Sequence, residues 1–92
     1  MARSFLSLFC PAVTGDRLTQ LVEWCDRYSP LAATDGSDGI ILDITGCTHL
    51  FGGEGALFLD LQRSLHRMGI KSRGAIADAW SIAWALARYS KR

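Results

Sequence analysis

The run Gly39–Thr45 constrains the fold of this chain most strongly, because it holds four aliphatic side chains and a single carboxylate, Asp43. A short, β-branched run without polar alternation is typical of a strand that is buried on both faces. Directly before it, the segment Asp35–Asp38 contains an Asp-Gly pair, which favours a hairpin turn. The short segment Leu31–Thr34 then supplies the partner strand. The sequence therefore predicts a β-hairpin at the centre of the fold.

Three amphipathic segments around the hairpin are predicted to be helices, because their apolar residues recur three or four positions apart. The first begins near Thr14 or Asp16, either of which can cap it, and it ends before Pro30. The second starts near Glu54, and the third follows Asp78.

A third strand is predicted over Ile70–Ala77, which gives the order helix, hairpin, helix, strand, helix. The economical fold is mixed α/β, of the α+β type, with about three strands and with three helices on one face of the sheet. Residues 14–92 form this domain. Residues 1–13 stay unassigned because no cap or clear period occurs there, and the apolar segment Phe5–Phe9 either forms a short strand or stays frayed.

The third predicted helix carries two indole rings, and the apolar spacing decides which side of it faces the core. The spacing leaves Trp80 and Trp84 on a partly exposed side, which offers a surface for a protein partner. The core side is expected to contain Ile82, Ala83, Leu86 and Ala87.

The charge of the chain is nearly balanced, at +1, so there is no global attraction to nucleic acid or membranes. The second half is nonetheless basic, with seven Lys or Arg against three acids over residues 47–92. The basic cluster in it consists of Arg63, His66, Arg67, Lys71 and Arg73. Either the cluster is the solvated face of a helix, or it is a patch that contacts the phosphates of a nucleic acid.

Metal sites, disulfides and membrane spans are not predicted. The number of cysteines is odd, and no spacing of Cys and His matches a four-ligand zinc site, so free thiols and no cofactor are expected. The residues in question are Cys10, Cys25, Cys47, His49 and His66. No stretch approaches the roughly 18–20 apolar residues of a membrane span, and the expected location is the cytoplasm.

Three segments of the chain, in order, resemble the palm domain of Y-family DNA polymerases, the enzymes that copy damaged DNA. They are RYSPLAATDGSDGIILDITG (Arg27–Gly46), CTHLFGGEGAL (Cys47–Leu57) and GIKSRGAIADAWSIAWALARY (Gly69–Tyr89). The run DITGCTHLFGGE is similar to the ImuB-type branch, the polymerase-like proteins of bacterial mutagenesis cassettes. The resemblance covers roughly residues 11–89. It implies a fragment of a palm, without the fingers, thumb, little finger and clamp-binding tail of the family.

The resemblance also implies where a catalytic site would lie and which of its parts are changed. In active members, an adjacent Asp-Glu pair and an Asp on the first strand hold metal ions. Laid on this sequence, the pair falls on Asp38 and Gly39, and residues 1–13 supply no acid. Cations of the last palm helix fall on Trp80 and Trp84. With one of the paired carboxylates absent, Asp38 is expected to form the turn rather than to bind metal.

Asp43 is expected to have a structural role, since a carboxylate in a buried strand must be hydrogen-bonded or paired. Thr45, His49 or a backbone amide could serve as its partner.

The function implied by the resemblance is non-catalytic. Members of the ImuB-type branch are thought to be inactive scaffolds in translesion synthesis, so the chain is expected to act with other proteins of an error-prone, SOS-linked DNA repair complex. Two alternatives stay open: a residual DNA-directed nucleotidyltransferase, and a small nucleic-acid-binding module that uses Arg63, Arg67, Lys71 and Arg73. An unpaired edge of the truncated sheet is also expected to favour self-association.

Overall fold

The hairpin predicted at the centre of the sequence is present in the computed structural model, which describes residues 3–89. The strands and helices are, in chain order, β1 (Phe5–Phe9), α1 (Asp16–Trp24), β2 (Ala32–Asp35), β3 (Gly39–Asp43), α2 (Glu54–Arg67), β4 (Arg73–Ala77) and α3 (Trp80–Tyr89). β2 and β3 pair antiparallel, with Asp35 opposite Gly39. In the turn between them Gly36 has φ of 72°, a left-handed conformation that favours glycine.

The sheet has four strands in the order β2-β3-β1-β4, and every neighbouring pair is antiparallel. The mixed fold class is confirmed, with one strand more than the sequence indicated. The additional strand, β1, comes from the unassigned N-terminal segment and occupies a central position between β3 and β4. β3 and β4 are therefore parallel to each other, are connected through α2, and have β1 between them. The elements from β1 to β4 follow the order β-α-β-β-α-β of a split β-α-β arrangement.

One face of the sheet is covered by α1 and α2, and the main core lies there. Alternate strand residues such as Leu6, Leu8 and Ile40 are fully buried against this layer. From α2, Leu57 and Leu61 enter the same cluster. Each such leucine contributes about 1.5–3 kcal/mol relative to an exposed position, so this layer supplies most of the hydrophobic stabilisation.

The other face of the sheet is covered by α3, which packs on β1 and β4. The prediction that all helices lie on one face is therefore wrong. Of the expected core residues of α3, Ala83 and Ala87 are buried, but Ile82 and Leu86 are 50% and 44% exposed. The physical reason is that a helix with small side chains towards the sheet can approach it closely, and this close approach turns the larger aliphatic side chains outwards.

The ends of the helices differ in part from the sequence-based expectation. Gly15 is the N-cap residue of α1, and no side chain caps that helix, so the caps expected from Thr14 or Asp16 are wrong. Within residues 3–89, no helix is long and apolar enough to cross a membrane.

Candidate functional site at the hairpin turn

Asp38 and Gly39, the positions that the resemblance assigns to paired catalytic carboxylates, lie where the hairpin turn enters β3. The backbone carbonyl of Asp38 accepts a hydrogen bond from the Cys10 amide at 2.8 Å, which ties the turn to the end of β1. Gly39 is buried and stands directly opposite Phe9 of β1. The strand neighbour of Gly39 is therefore a residue with an aromatic ring, and of these two positions only Asp38 carries a carboxylate.

A guanidinium group from α3 occupies this place. Arg88 Nη2 donates a hydrogen bond to Asp38 Oδ1 at 3.0 Å. Its Cζ lies 5.2 Å from the centre of the Phe9 ring and 4.6 Å from that of Trp84, so the cation lies against two aromatic faces. The Arg88 side chain is only 8% exposed. A planar, weakly hydrated cation suits such a stacked and buried position better than a lysine ammonium would.

The absence of a side chain at Gly39 makes room for this cation. A Cβ added there would lie 2.5 Å from Arg88 Nη2 and 2.9 Å from the backbone oxygen of Leu8. Both distances are shorter than a carbon atom tolerates, and the second involves a backbone atom of a central strand. A glutamate at position 39 would therefore displace the Arg88 guanidinium and strain the pairing of β3 with β1.

A second contact joins α3 to the hairpin turn. Trp80 Nε1 donates to Asp35 Oδ2 at 3.4 Å, while half of the Trp80 side chain stays exposed. Trp84 is half-buried, because one of its faces is covered by Arg88 and its edge meets Tyr89 at 5.9 Å between ring centres. Of the two tryptophans predicted as a partner surface, Trp80 is thus the more accessible. Between the turn and α3 lies an open cleft of about 440 Å³.

Asp43, at the far end of β3, is held by hydrogen bonds. Thr45 N donates to Asp43 Oδ1 at 3.1 Å, and Arg3 Nη2 donates to Oδ2 at 2.6 Å. Hydrogen bonding from Thr45, together with a smaller effect of the Arg3 guanidinium, lowers the pKa of Asp43 below its ordinary value. The expected partner Thr45 is confirmed, and Arg3 is an additional one that sequence spacing did not indicate.

Comparison with known proteins supports the resemblance. No protein-family model matches the chain, and no solved structure matches it. The chain is 52% identical over 79 residues to protein ImuB from two strains of Caulobacter vibrioides. The chain is related to ImuB, a Y-family polymerase-like protein. The matched region is 86% of this chain but 17% of the length of these ImuB proteins.

In the part of the chain that the structure describes, the side chains that could bind a metal ion lie apart from one another. Among residues 3–89, no three His, Cys, Asp or Glu side chains form a group of that kind. The thiols of Cys10 and Cys25 are buried, and this burial raises their pKa values to about 11 and about 12. These two cysteines are therefore protonated members of the core at neutral pH.

The structure divides the predicted basic cluster between two surfaces. Arg63 and Arg67 are exposed on α2 and border a shallow hollow of about 430 Å³ together with His66. Arg73 belongs to β4 and points to the sheet face under α3, where its Nη1 donates to the backbone carbonyl of Arg88 at 3.5 Å. A single nucleic-acid strand could therefore contact Arg73 together with Arg63 and Arg67 only by running around the edge of the sheet.

The two residues that define the site, Arg88 and Phe9, were not predicted from the sequence. Phe9 lay in a segment without clear period, and Arg88 belonged to a helix end judged only by its apolar spacing. A usable signal was present, because Trp84 and Arg88 are four residues apart and such residues are neighbours on a helix surface.

Proposed function

We propose that this chain is a non-catalytic, ImuB-like palm segment that acts in DNA damage tolerance through contacts with other proteins. The observation that carries the proposal is the Arg88 guanidinium beside Asp38 and Gly39. DNA synthesis requires two metal ions that are held by closely placed carboxylates. Of the two positions of the pair, only Asp38 carries a carboxylate, and its counter-ion is Arg88 of the same chain. The other carboxylate of the cleft, that of Asp35, accepts a hydrogen bond from Trp80. A divalent ion at Asp38 would have to compete with a cation that is already in contact with it.

Primer extension tests the catalytic part of the proposal. The purified chain, with a primed template, all four nucleotides and Mg²⁺ or Mn²⁺, is expected to give no extended product. The Gly39→Glu variant is expected to give none either, since the opposing strand carries Phe9 instead of an acid. Template-dependent extension by the wild-type chain that is lost in Asp38→Ala, but kept in the exposed-site control Asp26→Ala, would overturn the proposal and favour a residual nucleotidyltransferase.

The interaction part of the proposal rests on the relation to ImuB and on the aromatic surface around Trp80. In a reconstituted mixture with the other proteins of a mutagenesis complex, the chain is expected to co-migrate with at least one of them. Substitution Trp80→Glu is expected to weaken this association, whereas Leu31→Glu, at an aliphatic residue that is also more than half exposed, is the control. Absence of co-migration with every component would contradict the scaffold role.

Nucleic-acid binding is a second candidate, favoured by the grouping of Arg63, His66 and Arg67 on one exposed side of α2. Filter binding with single- and double-stranded DNA over a range of salt concentrations separates it from the scaffold role. If phosphate contacts dominate, the logarithm of the binding constant falls linearly with that of the salt concentration. The double variant Arg63→Glu and Arg67→Glu should then reduce both the affinity and this slope.

A further inference from the structure

The strand β4 has a free edge at the rim of the sheet. Among residues 3–89, β4 pairs with β1 alone. Beside this edge lies an open cleft of about 700 Å³, bordered by Phe58 and Gln62 of α2 on one side and by Leu86 of α3 on the other. A strand edge presents a row of backbone donors and acceptors, so the cleft has the shape and the polarity to accept an extended strand.

The helix α3 overhangs this edge with apolar side chains. Its alanines Ala83 and Ala87 face the sheet, and Arg88 points towards the hairpin turn on the β3 side. By helical periodicity, Ile82 and Leu86 lie on the opposite side, beyond β4. They are 50% and 44% exposed, an unusual position for two aliphatic side chains beside an unpaired strand. An occupant of the edge would cover them.

The charges along the edge change sign from one end to the other. The end of β4 at Lys71 and Arg73 is basic, and the other end is acidic because of Asp78 and Glu54. If a second copy of β4 paired antiparallel with the first, the basic end of each copy would lie beside the acidic end of the other. The small and large residues also match, since an antiparallel register centred on Ala75 places Gly74 opposite Ile76 of the copy.

We propose that the occupant is a second copy of this chain, which pairs its β4 antiparallel with the first β4 about a two-fold axis at Ala75. The pairing would join the two four-stranded sheets into one continuous sheet. It would place the α3 helices on the same face, so that Leu86 of each copy meets the apolar overhang of the other. This inference does not depend on the proposed function, because it uses the edge of the sheet and not the site at Asp38.

Sedimentation velocity of the complete chain over a wide concentration range tests the apolar contact. The expected result is a monomer–dimer equilibrium that Leu86→Lys weakens by about tenfold or more. The control is Leu59→Lys, since Leu59 is 49% exposed on α2 and does not border the cleft. Circular dichroism verifies that both variants are folded. A monomer at all concentrations, or a dimer that Leu86→Lys leaves unchanged, would refute the proposal.

A charge exchange tests the antiparallel orientation by an independent route. Lys71→Glu and Asp78→Lys should each weaken self-association, because each brings like charges together at both ends of the strand pair. A mixture of the two variants should associate again, since the opposite charges then meet in the heterodimer. If both variants dimerise like the wild type, or if the mixture fails to associate, the antiparallel β4 pairing is wrong.

Discussion

A methyl group at position 39 should destabilise the chain, although alanine is normally preferred over glycine in a strand. The Cβ of Gly39→Ala would lie 2.5 Å from Arg88 Nη2, 2.9 Å from the backbone oxygen of Leu8 and 3.1 Å from that of Asp35. The arginine can move, but the two carbonyl groups belong to the sheet. The substitution therefore forces either a shift of β3 or a loss of the contact between Arg88 and Asp38.

The magnitude follows from the two parts of this clash. Overpacking of a well-filled site typically costs about 1–3 kcal/mol. Arg88→Ala alone removes two contacts of a cation with an aromatic ring, each about 0.5–2 kcal/mol, with the upper part of the range applying because the Arg88 side chain is buried. It also removes an ion pair worth at most about 1 kcal/mol, because Asp38 is 42% exposed. In the double variant the clash with the guanidinium disappears, while the one with Leu8 remains. The two substitutions should therefore cost about 1 kcal/mol less together than the sum of their separate effects.

Urea unfolding followed by tryptophan fluorescence measures these free energies at a concentration low enough to avoid association. Gly55→Ala is the matched control, since a Cβ there meets nothing within 4 Å and the residue lies in α2. Because Gly55 lies in the first turn of α2, that control should stabilise the chain by at most about 0.5 kcal/mol. If Gly39→Ala also stabilises the chain, or if its effect is simply additive with that of Arg88→Ala, the close packing of the guanidinium on Gly39 is refuted.

Two further predictions concern titratable groups. Asp43→Asn should lower the free energy of unfolding at neutral pH, because the lowered pKa of Asp43 shows that the folded state favours the ionised carboxylate. The difference should be complete above the ordinary carboxyl pKa of 3.8 and be lost as the pH falls from there through the lowered pKa of the folded state; a difference that persists in stronger acid contradicts this. For the thiols, native protein at pH 8 should react with a thiol reagent at the half-exposed Cys47, and at Cys10 and Cys25 only after unfolding. Since burial raises the pKa values of these two to about 11 and about 12, their contribution to stability should be present below the unfolded value of 9.0 and be lost at higher pH, which a pH series of unfolding curves detects.

The centre of the fold could be predicted from sequence because its signals are local. The apolar run before Asp43 is too short and too uniformly hydrophobic for a surface helix, and the Asp-Gly pair marks the turn. β1 gave no such signal, because Ser7 interrupts its apolar residues and is nevertheless buried. Its position is set by pairing with β3 and β4, which lie far along the chain.

Only some of the residues at the site could be predicted from the sequence. The resemblance located Asp38 and Gly39, and it implied that Gly39 stands where active members of the family carry an acid. The contact of Arg88 with Asp38 could not be predicted, because Arg88 lies in a helix fifty residues further along the chain. Of the four residues predicted to face the core from α3, Ala83 and Ala87 are buried, whereas Ile82 and Leu86 are exposed. Hydrophobicity alone ranks Ile82 above Ala83, but close packing on the sheet requires the smaller side chain.

The central position of β1 has a consequence for how the chain becomes structured during synthesis. This strand emerges from the ribosome before either of its partners, because β3 follows only after α1 and β4 only after α2. Its apolar residues must therefore remain without their final neighbours until the chain has been extended past Ala77. Bringing together residues that are so far apart in the chain costs loop-closure entropy before the stabilising contacts form, and this cost slows folding. Of the four strands, β1 therefore waits longest for its last partner, and its apolar side chains have no place in a completed sheet during that interval.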